Sequence, residues 1–250
     1  IVAVLLAATA VSMDFWNVRV EDVLVGQESS SYRVNGEIPV IPLESFSDEV
    51  ASAMEDVSQK MEEQDLYLNS SPGYWLRTFD RWADCEEFIG FPLNNPLEKS
   101  SLLETANYFA IAQDAETLNE ESQRHCAVAL QGNIKGELQH VTIDTGYLMG
   151  PIRIQMTVSL YPEGSGMEPG TGGSWNGEAE FEITSGVTGE GIPYTLVVSE
   201  TPESDYYNDF SSADAYFVLK NGLYTLDAVS PGRDSGADAK AALEELLALF

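Results

Sequence analysis
The side chains best suited to chemistry in this 250-residue chain are few: two histidines, His125 and His140, and two cysteines, Cys85 and Cys126. A zinc site draws thiolates and imidazoles from short recurring spacings, because a tetrahedral ion needs ligands delivered in pairs by tight turns. Neither histidine stands in a ligand-like spacing with the other or with a cysteine, so no standard metal centre is expected and both histidines read as surface or strand residues. Ser165 lies between Gly164 and Gly166 without the flanks of a nucleophile elbow, and Gly170, Gly172 and Gly173 lack the Lys-Ser/Thr of a phosphate loop. Forty-one carboxylates make neighbours such as Glu62-Glu63 and Glu86-Glu87 inevitable, and a pair without a cleft is no sign of acid-base catalysis. A calcium loop of alternating Asp and a Gly is missing as well. The reading is therefore a non-enzyme with no catalytic residue, no cofactor and no metal ligand.

The cysteines remain, and the elements that carry them decide what they can do. Thr78 to Leu93 reads as a short helix led by Phe79, with Trp82, Cys85, Phe88 and Ile89 on one face and Asp84, Glu86 and Glu87 on the other; Gly90 and Pro92 end it. Cys126, Val128 and Leu130 alternate with Ala127, Ala129 and Gln131, the period of a half-buried strand. Both thiols are thus expected to be buried in one core, with Cys85 and Cys126 a candidate disulfide. A bridge closing a loop of about 40 residues would stabilise by roughly 3 to 4 kcal/mol in the chain-entropy picture, whereas two separate buried thiols are ordinary core residues.

The strongest periodic stretch is Ile152 to Tyr161, where Ile152, Ile154, Met156, Val158 and Leu160 alternate with Arg153, Gln155, Thr157, Ser159 and Tyr161. One face belongs to a core and the other to water or a second layer. Leu138 to Asp144 reads as the strand before it, joined through a Gly146 to Pro151 turn, and together with Cys126 to Gln131 this makes an antiparallel meander. Glu178 to Thr184, Tyr194 to Ser199, Ala215 to Lys220 and Leu223 to Ala228 read as further strands, with Asn221-Gly222 the strongest hairpin signal. Ser165 to Gly177, rich in glycine, reads as a flexible loop. Phe46, Val50, Met54, Val57 and Met61 at spacings of three and four predict an amphipathic helix over 45–64, with Ser45 and Ser47 as candidate caps. Leu102 to His125 reads as weakly helical or mixed. Ser235 to Phe250 reads as a closing helix with Leu243, Leu246, Leu247 and Phe250 on one face. Strands in sequence with helices at the ends give an α+β class, an antiparallel sheet packed with N-terminal and C-terminal helices.

Twelve basic against forty-one acidic residues leave a formal net charge of −29, which repels phosphate backbones and anionic headgroups, so nucleic acid and peripheral membrane partners are excluded. The 44% hydrophobic content suffices for one large or two small cores. Ile1 to Met13 is uncharged and apolar but shorter than the roughly 20 residues that span a bilayer. It is expected to be the outer end of a transmembrane helix or the apolar region of a signal peptide, with further sequence upstream and Ala8-Thr9-Ala10 as a small-x-small cleavage site. The organisation that follows is 1–13 as anchor or signal, 14–44 as linker with a short strand, and 45–250 as an extracytoplasmic α+β domain. Its two candidate subdomains are a helical 45–120 and a 121–250 of sheet plus helix. Phe15, Trp16, Val18 and Val20 supply the short strand and Gln27 to Ser31 a polar tether.

The run Phe79-x-x-Trp82-x-x-Cys85-x-x-Phe88-Ile89-Gly90-Phe91-Pro92-Leu93, followed by Asn95-Pro96-Leu97, resembles a segment in the extracytoplasmic part of anti-sigma-factor-like, single-pass membrane proteins of Gram-positive gut anaerobes. Tyr216 to Leu226 and the helix ending in Leu246-Leu247-Ala248-Leu249-Phe250 are similar to the strand, turn, strand and helix that close that kind of domain. The resemblance covers about a third of the chain, and Arg81 departs from the small polar residue of the pattern. It implies a non-catalytic sensing or interaction domain of a membrane-anchored regulator, with an unidentified protein or small-molecule ligand outside the cell as partner. The alternative is a secreted or lipid-anchored envelope protein that binds a ligand.

Overall fold
The computed structural model describes residues 16–22, 29–36, 38–63, 73–108, 123–133, 135–166, 170–176, 180–200, 210–220, 222–232 and 235–250. The apolar run 1–13 and the whole of 109–122 lie outside them. Twelve strands and three helices appear among the described residues. In chain order they are β1 (Trp16–Asp22), β2 (Ser29–Gly36), α1 (Asp48–Glu63), β3 (Tyr74–Phe79), α2 (Trp82–Ile89), β4 (Glu104–Ala106), β5 (Cys126–Gly132), β6 (Leu138–Met149), β7 (Ile152–Leu160), β8 (Gly170–Asn176), β9 (Glu180–Val187), β10 (Pro193–Glu200), β11 (Phe210–Leu219), β12 (Gly222–Pro231) and α3 (Gly236–Leu247).

Nine strands form one antiparallel sheet in the order β3-β5-β6-β7-β12-β11-β10-β9, with β4 added against β6. It is two meanders joined at one seam: β5-β6-β7 and β9-β10-β11-β12 each run between sequence neighbours, and β7 meets β12 through pairs such as Met156 with Leu226. The periodic stretch read first in the sequence is therefore the middle of the sheet. Ile154, Met156, Val158 and Leu160 are fully buried on the helix-covered face, beside Val141, Ile143, Phe217 and Leu226. On the opposite face Ile38, Tyr161, Val197, Tyr216 and Leu223 form a smaller apolar cluster, so the strand's second side is partly covered too. Ile38 reaches it because Ile41 runs parallel to the end of β7, donating its N–H to Tyr161 O at 2.9 Å.

α3 lies across β10, β11 and β12 with Leu243, Leu246 and Leu247 inward. Phe250 follows the helix and sets its ring edge-on to Phe217 at 5.0 Å and to Tyr224 at 6.0 Å. A side chain of that size, fully buried, contributes about 2 to 3 kcal/mol. The chain end is pinned by Glu190, whose N–H donates to Phe250 O at 2.7 Å, and at Gly189 a Cβ would meet Ala248 O at 2.2 Å, so only glycine allows that approach.

α1 begins at Asp48, later than the expected Ser45, because Leu43–Ser45 is a separate 3-10 turn and Ser47 is the residue whose hydroxyl receives the Val50 N–H, at 3.3 Å. The same Ser47 N–H donates to Ile89 O at 2.9 Å, which ties the start of α1 to the end of α2. Gly90, at φ 106°, terminates α2 in the left-handed region, with its N–H on Glu86 O.

Several expectations are corrected. Phe79 does not lead α2; it ends β3, whose apolar alternation is interrupted at Arg77. That guanidinium lies 5.2 Å from the Phe79 ring centre and 5.3 Å from that of Phe88, so its stem and charge cover apolar surface from within the pattern. β6 does not turn at Gly146 but continues to Met149, since Tyr147 points into the core; the turn is Gly150-Pro151 alone, with Gly150 at φ 59°. The short strand expected at Phe15 to Val20 is β1, whereas the glycine-rich stretch expected as a loop contains β8 and the tether expected at Gln27 to Ser31 runs into β2; these three pair in a second sheet, order β1-β2-β8. Gly172 and Gly173 stand opposite Arg33 and Tyr32, so backbone pairing alone defines a strand that composition argues against. In the Leu102 to His125 stretch, Glu104–Ala106 is strand, not helix, where it is described.

Candidate functional site
Two polar groups lie on the two faces of the main sheet. The first is assembled where α2, the 3-10 turn Pro96–Lys99 and the start of β5 meet. Asn95 opens that turn by accepting the Leu97 N–H on its side chain at 3.1 Å, and Pro96 presets the backbone, which aims Glu98 inward. His125 immediately precedes β5 and is 7% exposed. Its Nδ1 donates to Ala106 O at 2.9 Å, and its Nε2 faces Glu98 Oε1 at 2.7 Å and Thr145 Oγ1 at 3.1 Å.

A carbonyl and a carboxylate can only accept, so both ring nitrogens are called on to donate and the imidazolium is the form its partners require. Burial pulls His125 down, but its hydrogen bonds to Cys126 and Glu98 outweigh that and raise it to about 10. Glu98 is held below the usual carboxylate range by its His125 bond against its own burial, helped by Tyr147, whose hydroxyl donates to Glu98 Oε1 at 2.7 Å. Tyr147 in turn accepts from Asn95 Nδ2 at 2.8 Å.

Cys126 stands beside this pair. Its Sγ is 3.6 Å from Thr145 Oγ1, its cross-strand neighbour, and Cys85 belongs to the same core cluster, carried by α2, which packs on β5. Both cysteines are completely buried, as their positions on the apolar face of the helix and the inward face of the strand predict; both are free thiols here. The neighbouring Cys85, assisted by His125, lowers the Cys126 thiol against the effect of burial. The Cys85 thiol moves the other way, raised by its neighbour Cys126, by burial, and by the carboxylates Asp84 and Glu86 on its own helix.

The second group lies on the opposite face, around the β7-β12 seam. Asp214 and Asp227 are direct cross-strand partners, and Asp227 faces Gln155, whose Nε2 is 3.2 Å from Asp144 Oδ1. Thr157 donates to the same Asp144 oxygen at 2.6 Å. Burial pushes Asp227 well above the carboxylate range, reinforced by Asp214, to which it is hydrogen-bonded, and Asp144 is raised by burial against its two donors. Further along this face, at the far end of β6, His140 stacks on Tyr161 at 4.8 Å, and burial lowers it to about 4.

Of the two histidines, His140 lies in a strand, β6, as one of its two expected readings had it, whereas His125 immediately precedes β5 and is buried. His125 is joined to Glu98, Thr145, Tyr147 and Cys126, which sequence reading missed; the adjacency of His125 and Cys126 at a strand start was the available signal. Glu62-Glu63 and Glu86-Glu87 form no acid pair of this kind, although Glu86 Oε1 accepts the Leu93 N–H at 2.7 Å. Among the described residues no group of three or more His, Cys, Asp and Glu has the geometry to hold a metal ion, and no helix is long and apolar enough to cross a membrane. No family model, curated protein or solved structure matches the chain.

Proposed function
We propose that the chain is a non-catalytic extracytoplasmic sensing or interaction domain of a membrane-anchored regulator, of the anti-sigma-like kind that the Trp82 to Leu93 segment resembles. In this reading it is an α+β domain whose sheet is bracketed by helices from the two ends of its sequence. It meets a protein or small-molecule ligand outside the cell, binds no nucleic acid, and uses no cofactor.

One observation carries the reading: where the reactive side chains sit. Cys126 is 0% exposed, His125 7% and Tyr147 2%. Their hydrogen bonds join the Pro96–Lys99 turn, β4, β5 and β6 to one another. A nucleophile, base and carboxylate set that turned over a substrate would have to open onto solvent. Here the same residue types tie elements together, and the resembling residues Trp82, Phe88 and Ile89 are likewise core. The envelope ligand-binding alternative draws on β3, which among the described residues is an edge strand paired with β5 and leaves Tyr74 66% exposed.

The regulator reading is tested by deleting residues 78–250 from the parent protein and following a sigma-dependent promoter; an altered output is expected, and an unchanged one removes the reading. Incubation with esters, peptides, glycosides and phosphate esters is expected to give no turnover. A reproducible activity lost on one point substitution would replace the binding reading with an enzymatic one.

A further inference from the structure
We propose that the two edges of the main sheet are matched contact surfaces for a second copy of this chain, β3 of one copy adding antiparallel to β9 of the next. The inference stands on sheet geometry and is independent of the regulator reading. The path from β3 to β9 has eight strands, and every neighbouring pair along it is antiparallel. Its two end strands therefore run in opposite senses. A copy set beside the first in the same orientation brings its β9 antiparallel to β3, the sense in which residues directly opposite exchange both backbone hydrogen bonds.

The backbone groups are in phase for this pairing. Gly132 donates its N–H to Gly73 O at 2.8 Å, so by the alternation of an antiparallel pair Trp75, Arg77 and Phe79 turn their backbone groups to β5, and Tyr74, Leu76 and Thr78 turn theirs outward. Thr188 donates to Ile192 O at 2.8 Å, so Gly186, Thr184 and Glu182 bond to β10, and Phe181, Ile183, Ser185 and Val187 face outward. Among the described residues neither outward row has a strand partner.

The side chains match as well. Trp75 and Phe79 pack into the helix-covered core and Phe181 into the cluster on the opposite face, so both outward rows carry their side chains on the face away from the helices. There Tyr74, Leu76, Ile183 and Val187 are exposed, Leu76 and Ile183 to 39% and 40%. On the helix-covered face Arg77 lies against the Phe79 and Phe88 rings and forms no ion pair among the described residues. Glu182, 61% exposed, meets Lys240 Nζ through Oε1 at 2.6 Å and has a second oxygen to offer. Setting Leu76 opposite Ile183 of the next copy puts Arg77 directly opposite that copy's Glu182, so one register joins the apolar pair and the opposite charges. The contact is heterologous: every copy added leaves a free β3 at one end and a free β9 at the other, and growth does not stop at a pair. A few residues a side make it a small, weak interface, and the charge of −29 on each copy opposes it until salt screens the repulsion.

Sedimentation equilibrium of the full chain, over a concentration series reaching the millimolar range at about 0.15 M salt, tests the pairing. The weight-average mass of the wild-type protein is expected to climb past that of a dimer. Leu76→Pro and Ile183→Pro each remove an outward N–H without breaking a hydrogen bond of the sheet, and each alone is expected to associate roughly tenfold or more weakly. Mixed in equal amounts they should form a dimer and stop there, since the intact β9 of the first meets the intact β3 of the second and no further matched edges remain. Should a proline variant fail to fold, Leu76→Lys and Ile183→Lys block the same edges from exposed positions and are expected to give the same pattern. A wild-type protein that stays monomeric across the series, or whose mass stops at a dimer, would overturn the proposal. So would a variant that associates as strongly as wild type, or a mixture no more associated than either variant alone.

Discussion

The Glu98–His125–Cys126 group and the Asp144–Asp214–Asp227 group occupy opposite faces of one sheet, and both remove carboxylates from water. They solve the same problem differently. Beside His125 the carboxylate of Glu98 stays ionised, because an imidazolium with two acceptors sits against it. At the seam Asp227 is buried with the carboxyls of Asp214 and Asp144 as its neighbours, which favours retention of its proton so that one oxygen donates to the other. A buried acid can be kept charged by a partner or neutral by a proton, and each choice gives stability the opposite dependence on pH.

Removing Glu98 is the largest expected effect. Glu98→Ala leaves His125 buried without its counter-ion and Tyr147 without its acceptor, a loss of about 3 kcal/mol, at the low end for a broken buried pair because Glu98 is itself partly exposed. With His125 raised to about 10 in the folded state, its favourable contribution is complete below its unfolded value near 6.5 and is lost as pH rises through about 10. The penalty should therefore be full at pH 6 and shrink by pH 10. Urea denaturation of both proteins across that range measures it, and a penalty independent of pH would show that the ion pair is not its source.

Asp227→Asn should act in the other direction. The native wild-type protein must take up a proton at neutral pH that the unfolded chain does not hold, so its stability falls as pH climbs above about 4. Asn keeps the donor to Asp214 without needing the proton, and a gain of about 1 to 2 kcal/mol at pH 7 is expected, fading toward pH 4. A destabilised variant at pH 7 would mean that the carboxyl pair is ionised and held by some other cation.

His140 gives the smallest effect. Its depressed value of about 4 means the unfolded chain binds a proton that the native state refuses, so stability falls as pH drops from about 6.5 toward 4. His140→Gln should remove about 1 kcal/mol of that acid loss and leave the neutral-pH melt close to wild type. Melts at pH 4.5 and 7 read the difference directly.

The strands of the main sheet were largely legible, because a period of two over five to nine residues is a strong signal when one face is fully buried: Ile152 to Leu160 and Cys126 to Leu130 are instances. β3 was not, since Arg77 spends its apolar stem on Phe79 and Phe88 and so breaks the pattern that a sequence displays. β8 was not, because its glycines carry no pattern and its pairing with β2 is a backbone affair. The burial of Cys85 and Cys126 followed from their places on a helix face and a strand face. The network around them did not. Glu98 reaches His125 from a 3-10 turn, and Tyr147 lies where the strand continues through Gly146, so their meeting is a property of tertiary packing.

The seam between β7 and β12 also bears on how the molecule assembles. Each meander can zip from its own hairpins at small cost in chain entropy, but pairing Met156 with Leu226 requires all of the intervening chain to be looped out first. The centre of the finished sheet is thus its most non-local contact, and the two halves have reason to form before they dock. Substitutions along β7 and β12 that weaken only their mutual pairing should then accelerate unfolding while leaving the rate at which the β11-β12 hairpin closes unchanged. Both would be read from the two arms of a chevron.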